Sequence, residues 1–241
     1  MGARCTSSLV VATLSLCLFA ASVRAQSFPP TPPPPVKPIQ KLGPNLYALG
    51  SIRIDTAKRE IQVPGKVNSV AVLEFIANTF EGMKAYESAI TLDTDAIAFN
   101  SAMLLVGVDK SRSRVPVEHF DPTPPEGDRV EVWVEWDHGT THTRVAAEEL
   151  LFDRDKNQVP AGRSSWVYTG SMFIPGGRYL AQVDGVLIGF VHSPAPVIEQ
   201  GIGTGVGRFG HIIMNPNLGL TPDLPVVLTV KAVSPSSGEK R

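Results

Sequence analysis

The chain has 241 residues, with 22 lysines and arginines against 23 aspartates and glutamates, a formal net charge of −1. So even a balance supplies no basic field for nucleic acid and excludes that class of partner. Cys5 and Cys17, the two cysteines, both lie within the first 25 residues; once that segment is removed, disulfides, zinc–cysteine sites, thiolate-held clusters and cysteine nucleophiles are excluded as well.

Arg4 leads into an apolar run from Leu9 to Phe19, and Ala20 to Ala25 supply the small residues a signal peptidase reads. The pattern predicts a secretory signal over residues 1–25. The run is shorter than the ~20 apolar residues of a membrane span and no later segment replaces it, so the mature protein is expected to be exported without an integral membrane segment. Leu16 before Cys17 and Leu18-Phe19 after it do not suit lipidation. Loss of Arg4 and Arg24 leaves 20 basic against 23 acidic residues, a net of −3. A chain stable outside the cell without disulfides must rely on a sizeable core.

Residues 26–44 hold the proline run Pro29-Pro30-Thr31-Pro32-Pro33-Pro34-Pro35 and read as a stiff extended spacer. Residues 45–233 are expected to form a single domain, and 234–241 a disordered tail. Strands are predicted at 47–54, 60–63, 67–77, 85–92, 129–136, 142–146, 165–168, 179–183, 186–192 and 226–233, all rich in β-branched or aromatic residues. Thr94-Asp95 caps a helical stretch that ends at Gly107. Val183-Asp184-Gly185-Val186 reads as a tight hairpin turn. The expected fold class is α+β, predominantly antiparallel β with one short helix packed on the sheet.

Within the first predicted hairpin, Glu74 interrupts the apolar stretch Val70 to Ile76 where a charge is costly to bury. Antiparallel return through residues 78–84 places Glu87 beside it in diagonal register, with Ser88 next along the strand. Paired carboxylates of which one is buried suit general acid–base chemistry, Glu87 and Glu74 being the candidate catalytic groups. The other reading has each acid bonded to a backbone amide or to a nearby Lys or Arg. Further on, Val130 to Trp136 alternates strictly, setting Trp133 between Glu131 and Glu135 on one face. An aromatic ring flanked by carboxylates suits sugar stacking, so Trp133, with Ser88, is a candidate ligand-binding residue; the alternative is a ring covered by a neighbouring loop.

Asp137-His138-Gly139-Thr140-Thr141-His142 sets two imidazoles around a turn. His138 and His142 are candidate metal ligands, with Asp137 or His119 as a third, although the helical His-Glu-x-x-His arrangement is absent. Gly205-x-Gly207-x-x-Gly210 has dinucleotide spacing without a strand–helix unit around it, and reads as a surface loop.

Val72-Leu73-Glu74-Phe75, Tyr86-Glu87-Ser88, Ala102 to Gly107, Trp166-Val167-Tyr168-Thr169-Gly170-Ser171 and Tyr179 to Gly185 together resemble the YdjY-domain family. The Trp-x-Tyr-Thr-Gly-Ser block is the most specific of these, and the resemblance spans roughly residues 60–233. It implies an exported bacterial domain without an assigned reaction. The family pattern places histidines where this chain has Tyr86 and Asn100, which argues against carrying over any histidine-based site. The sequence thus points to a periplasmic or extracellular, non-catalytic cell-envelope domain with a binding or structural role, no cofactor, and an envelope protein or glycan as partner. The alternative is an envelope hydrolase, directed at glycans, using Glu74 and Glu87.

Overall fold

The computed structural model describes residues 38–160, 166–204 and 206–233. The expected signal peptide, the proline run and the tail at 234–241 lie outside the described residues. Among the described residues sixteen strands and two α-helices follow in chain order. β1 (Ile39–Gly43), β2 (Leu46–Leu49), β3 (Ile52–Asp55) and β4 (Glu60–Val67) come first, then β5 (Phe75–Thr79), β6 (Ser88–Leu92) and α1 (Ala96–Leu105). Next are β7 (Asp128–His138), β8 (Thr141–Ala146), β9 (Leu151–Asp153), β10 (Trp166–Tyr168), β11 (Phe173–Ile174), β12 (Arg178–Tyr179) and α2 (Leu180–Asp184). β13 (Val186–Gly189), β14 (Ile198–Gln200), β15 (Ile212–Met214) and β16 (Pro225–Ala232) complete the order. β1 begins inside the span expected to be spacer.

Eight strands close a ring in the order β4, β16, β7, β10, β14, β13, β5, β6 and back to β4. β5 runs parallel to β6 and β13 parallel to β14; the other ring pairs are antiparallel. This closed, mixed barrel corrects the expectation of a predominantly antiparallel sheet with one helix packed on it. The physical reason lies in two links of eight residues each, 80–87 and 190–197. Links of that length read as hairpin loops, because parallel strands normally need a dozen or more connecting residues. Here both carry the chain over to a parallel neighbour. Burial fits this: β5, β6, β13 and β14 are buried along their whole length, whereas β7 alternates buried and half-buried residues between Val130 and Trp136.

The buried core joins the ring strands to α1, α2 and β3. Val132 of β7 stands opposite Val230 of β16 and Val134 opposite Leu228, all four buried. α1 forms where expected: Asp95 accepts a 2.8 Å hydrogen bond from the Ala98 N–H, and buried Phe99, Ala102 and Met103 supply its packed face. Its neighbours are β3, β13 and α2. Residues 180–183, expected to be strand, belong to the helix α2, and Gly185 at φ +70° ends it. The Asp-Gly pair therefore serves a helix end and not a hairpin, since both need the same left-handed backbone. The predicted strand 47–54 is split into β2 and β3 by a turn.

Two long strands flank β16, and each divides its other edge between two partners. β4 pairs β3 over residues 60–62 and β6 over residues 65–67. β7 pairs β10 over residues 128–130 and β8 over residues 133–138. The first fork is sealed. Asp93 donates its N–H to the Pro64 carbonyl at 2.9 Å, Pro64 has no N–H to leave unpaired, and a Cβ on Gly65 would lie 2.5 Å from the Thr91 carbonyl oxygen. The second fork stays open.

Candidate functional site

The backbones of Glu74 and Glu87 adjoin by a different route from the one expected. β5 and β6 are parallel, with Phe75 opposite Ser88, and the Glu74 N–H donates to the Glu87 carbonyl at 2.9 Å. Both side chains are buried, and each has a side-chain nitrogen partner: Glu74 Oε2 lies 3.2 Å from His119 Nε2, and Glu87 Oε1 lies 2.6 Å from Lys84 Nζ. Burial opposes charge on Lys84, but hydrogen bonds to Glu87 and to Tyr86 outweigh it and hold the ammonium above its ordinary value. Ser88 Oγ donates to the Lys84 carbonyl at 2.8 Å, so that hydroxyl is used inside the link 80–87. These groups form two separate side-chain pairs just before β5 and β6.

The open fork gathers a different set. Between β8 and β10, along one edge of β7, lies a cleft of about 230 Å³ lined by Glu131, Trp133, Ala146, Glu148, Glu149 and Trp166. Alternation along β7 places Glu131, Trp133 and Glu135 on the outer face, as the sequence predicts. Trp133 stands opposite Thr229 on one side and Ala146 on the other. The Arg144 guanidinium sits 5.1 Å from the Trp133 ring centroid, and Glu135 holds it at 3.2 Å. Trp166, fully buried, donates its indole N–H to Glu148 Oε2 at 3.0 Å. The ring and carboxylate therefore fix each other at the cleft wall.

The Trp166 to Ser171 block continues away from this wall and ties down its surroundings. Tyr168 Oη donates to Asn100 Oδ1 at 2.7 Å on α1, Thr169 Oγ1 donates to the Pro196 carbonyl at 2.9 Å, and Ser171 Oγ accepts from the Ala181 N–H at 3.1 Å. A family model of the YdjY domain matches residues 52–198. The chain belongs to the YdjY-domain family. No curated protein and no solved structure matches it. The match runs from the first residue of β3 to the first residue of β14, so β16, which joins β4 to β7, lies outside it.

In this YdjY domain the two histidines of the β7–β8 hairpin part company. His142 stands opposite Asp137 and His138 opposite Thr141, so alternation turns the two imidazoles to opposite faces. His142 Nδ1 is 2.8 Å from Asp137 Oδ1 and its Nε2 is 3.5 Å from Glu135 Oε2. The bond to Asp137 raises its pKa, against some desolvation, with both carboxylates adding. Among the described residues no three His, Asp or Glu side chains converge to hold a metal ion. The expected turn at Gly139-Thr140 is present.

Four groups were not among the site residues read from the sequence. Glu148, Glu149 and Trp166 join Trp133 only through the fork. Glu199 on β14 is the fourth: fully buried, with Oε1 accepting from the Ser193 N–H at 2.9 Å. Burial pushes its pKa up to about 8, against the N–H groups of Ser193, His192 and Gln200 that favour the carboxylate. It fastens the link 190–197 where His192 takes φ +58°. The His192 ring lies between two carbonyls, 2.8 Å from that of Asp121 and 2.9 Å from that of Gln200, and Gly203 of the glycine-rich segment packs against it. Glu199 follows Val197-Ile198 but is itself followed by Gln200-Gly201, so it lacks the interrupted apolar run that marks Glu74.

Proposed function

We propose that this YdjY-domain protein is an exported, non-catalytic domain that acts in the cell envelope by binding, and that the fork cleft is its binding site. The observation that carries the reading is the convergence of two indole rings and three glutamates on one open concavity beside an otherwise hydrogen-bonded sheet. The leader-like first 25 residues and the absence of cysteine after them support export. The hydrolase alternative has less support, because the Glu74 and Glu87 carboxylates each already have a side-chain nitrogen partner, His119 and Lys84.

The test is co-sedimentation of purified protein with isolated envelope material, comparing the natural chain with Trp133→Ala and with Glu87→Gln. The expected result is retention of the natural chain and of Glu87→Gln, with roughly ten-fold weaker retention for Trp133→Ala. Release of sugar fragments by the natural chain that Glu87→Gln abolishes, with retention indifferent to Trp133, would overturn the proposal in favour of the hydrolase.

A further inference from the structure

We infer that the outward face of α1 is an interface between two copies of this chain, packed as a two-fold pair with their α1 helices antiparallel. The first observation is chemical. α1 reads Ala-Ile-Ala-Phe-Asn-Ser-Ala-Met-Leu-Leu and has no ionisable side chain. Phe99, Ala102 and Met103 fill its packed face, yet Ile97, Leu104 and Leu105 are exposed, with Ser101 among them. Positions 97, 101, 104 and 105 follow the i, i+4, i+7, i+8 spacing of one helical stripe. A surface helix ordinarily turns charged or polar residues outward, and a helix apolar on both faces belongs in an interior.

Neighbouring elements extend the patch. The Phe80 N–H donates to the Thr94 carbonyl at 3.1 Å, which sets Phe80 and Met83 of the link 80–87 near the start of α1. Gln182 Oε1 of α2 accepts from the Ala96 and Ile97 N–H groups at 3.0 and 3.4 Å, and Phe173 packs on Tyr179 at the head of α2, ring centroids 5.3 Å apart. Phe80, Met83, Ile97, Leu104, Leu105 and Phe173 are between 38% and 69% exposed. At roughly half exposure, side chains of this size present on the order of 600 Å². That is the upper end of the ~300–600 Å² patch a monomer leaves bare. It is also most of the ~800 Å² that each partner brings to a standard interface.

Charge selects a second copy as the occupant. Exposed Glu81 and Asp93 flank the N-terminal end of α1. Lys58, its side chain 71% exposed and 3.6 Å from Asp55, and Arg59 flank the C-terminal end, where Arg59 donates to the Val106 and Gly107 carbonyls at 3.1 and 2.9 Å. Antiparallel two-fold packing brings the acidic end of one α1 to the basic end of the other, twice, across an uncharged middle. The face is thus complementary to itself. An anionic lipid surface would be repelled by the acidic end.

The experiment is sedimentation velocity of the purified full chain from about 1 μM to about 500 μM. A reversible monomer–dimer equilibrium is expected. Leu104→Asp, which puts a charge into the uncharged middle, is expected to weaken the dimer roughly ten-fold or more. Glu81→Lys and Lys58→Glu are each expected to weaken it roughly three-fold, and the two together in one chain to restore it, because the exchange pairs the ends again. Glu81 and Lys58 are exposed, so the charge exchange still decides should Leu104→Asp fail to fold. A monomer at every concentration would overturn the inference, and so would a dimer indifferent to Leu104→Asp or to the single charge reversals. A monomer that floats with phospholipid vesicles, and no longer does so as Leu104→Asp, would overturn it in favour of a lipid surface.

Discussion

The forks on β4 and β7 are built alike and end differently. Each is a long strand that pairs β16 along one edge and shares the other between two shorter strands. On β4 the gap is closed by backbone: Pro64 removes a donor, Asp93 satisfies its carbonyl, and Gly65 lets β6 approach until Leu92 touches it. On β7 the corresponding residues are Glu131 and Val132, and the gap is walled by large side chains, Trp133 and Trp166. A fork with proline and glycine completes a barrel; one with tryptophan and glutamate leaves a recess. The same topological device therefore serves stability on one side of β16 and recognition on the other.

The sharpest way to break this comparison is to give the sealed fork a side chain. Gly65→Val would drive its Cβ into the Thr91 carbonyl and Leu92, both part of the closing strand. Denaturant unfolding is expected to show a loss of roughly 3 kcal/mol or more. A loss under about 1 kcal/mol would mean that β4 and β6 are not held in this register.

At the open fork, Trp166→Phe keeps an aromatic ring but removes the N–H that Glu148 accepts within the protein. A loss of about 1–3 kcal/mol is expected, smaller than at Gly65, because a buried acceptor is deprived of a donor while the packing survives. Behind that wall, β14 pairs β10 and carries Glu199. A carboxyl raised from 4.5 to about 8 on folding binds a proton that the unfolded chain has released, so stability falls as pH rises through that window. Glu199→Gln is expected to flatten this slope in thermal melts recorded from pH 4 to pH 9. A slope identical to that of the natural chain would remove Glu199 as its source.

The smallest effect belongs to the exposed tip of the β7–β8 hairpin. His142 is expected to titrate above an ordinary histidine in an NMR pH series, and Asp137→Asn to bring it down. Its stabilising contribution is complete at low pH and lost as pH rises through the raised value. An unchanged midpoint in Asp137→Asn would assign the shift to Glu135 instead.

How much of this was legible in the sequence depended on whether the signal was local. The alternation from Val130 to Trp136 correctly placed Trp133 between two glutamates on an outer face, and Asp95 with Gly107 bracketed α1. Strand order around the ring was not legible. The fully buried strands β5, β6, β13 and β14 carry no alternation to mark their faces, and an eight-residue link is compatible with either direction of return. Glu74 and Glu87 were expected side by side across an antiparallel hairpin; their strands are instead parallel, and the carboxylates have His119 and Lys84 as partners, which the spacing did not indicate. Tyr179 to Val183 was expected as strand, yet only Tyr179 is extended and the backbone is helical from Leu180 to Asp184. Glu148, Glu149 and Trp166 lie far from Trp133 along the chain, so no spacing rule could have joined them to it.

The most direct test of the open fork as a binding site is to fill it as the other fork is filled. Ala146 stands opposite Trp133 and lines the cleft. Ala146→Leu is expected to leave unfolding free energy within about 1.5 kcal/mol of the natural chain, as a tolerated gain in volume at a recess. Retention on envelope material should fall roughly ten-fold at the same time. Retention unchanged in a folded Ala146→Leu protein would contradict the account, because the recess would then have no part in what this domain binds.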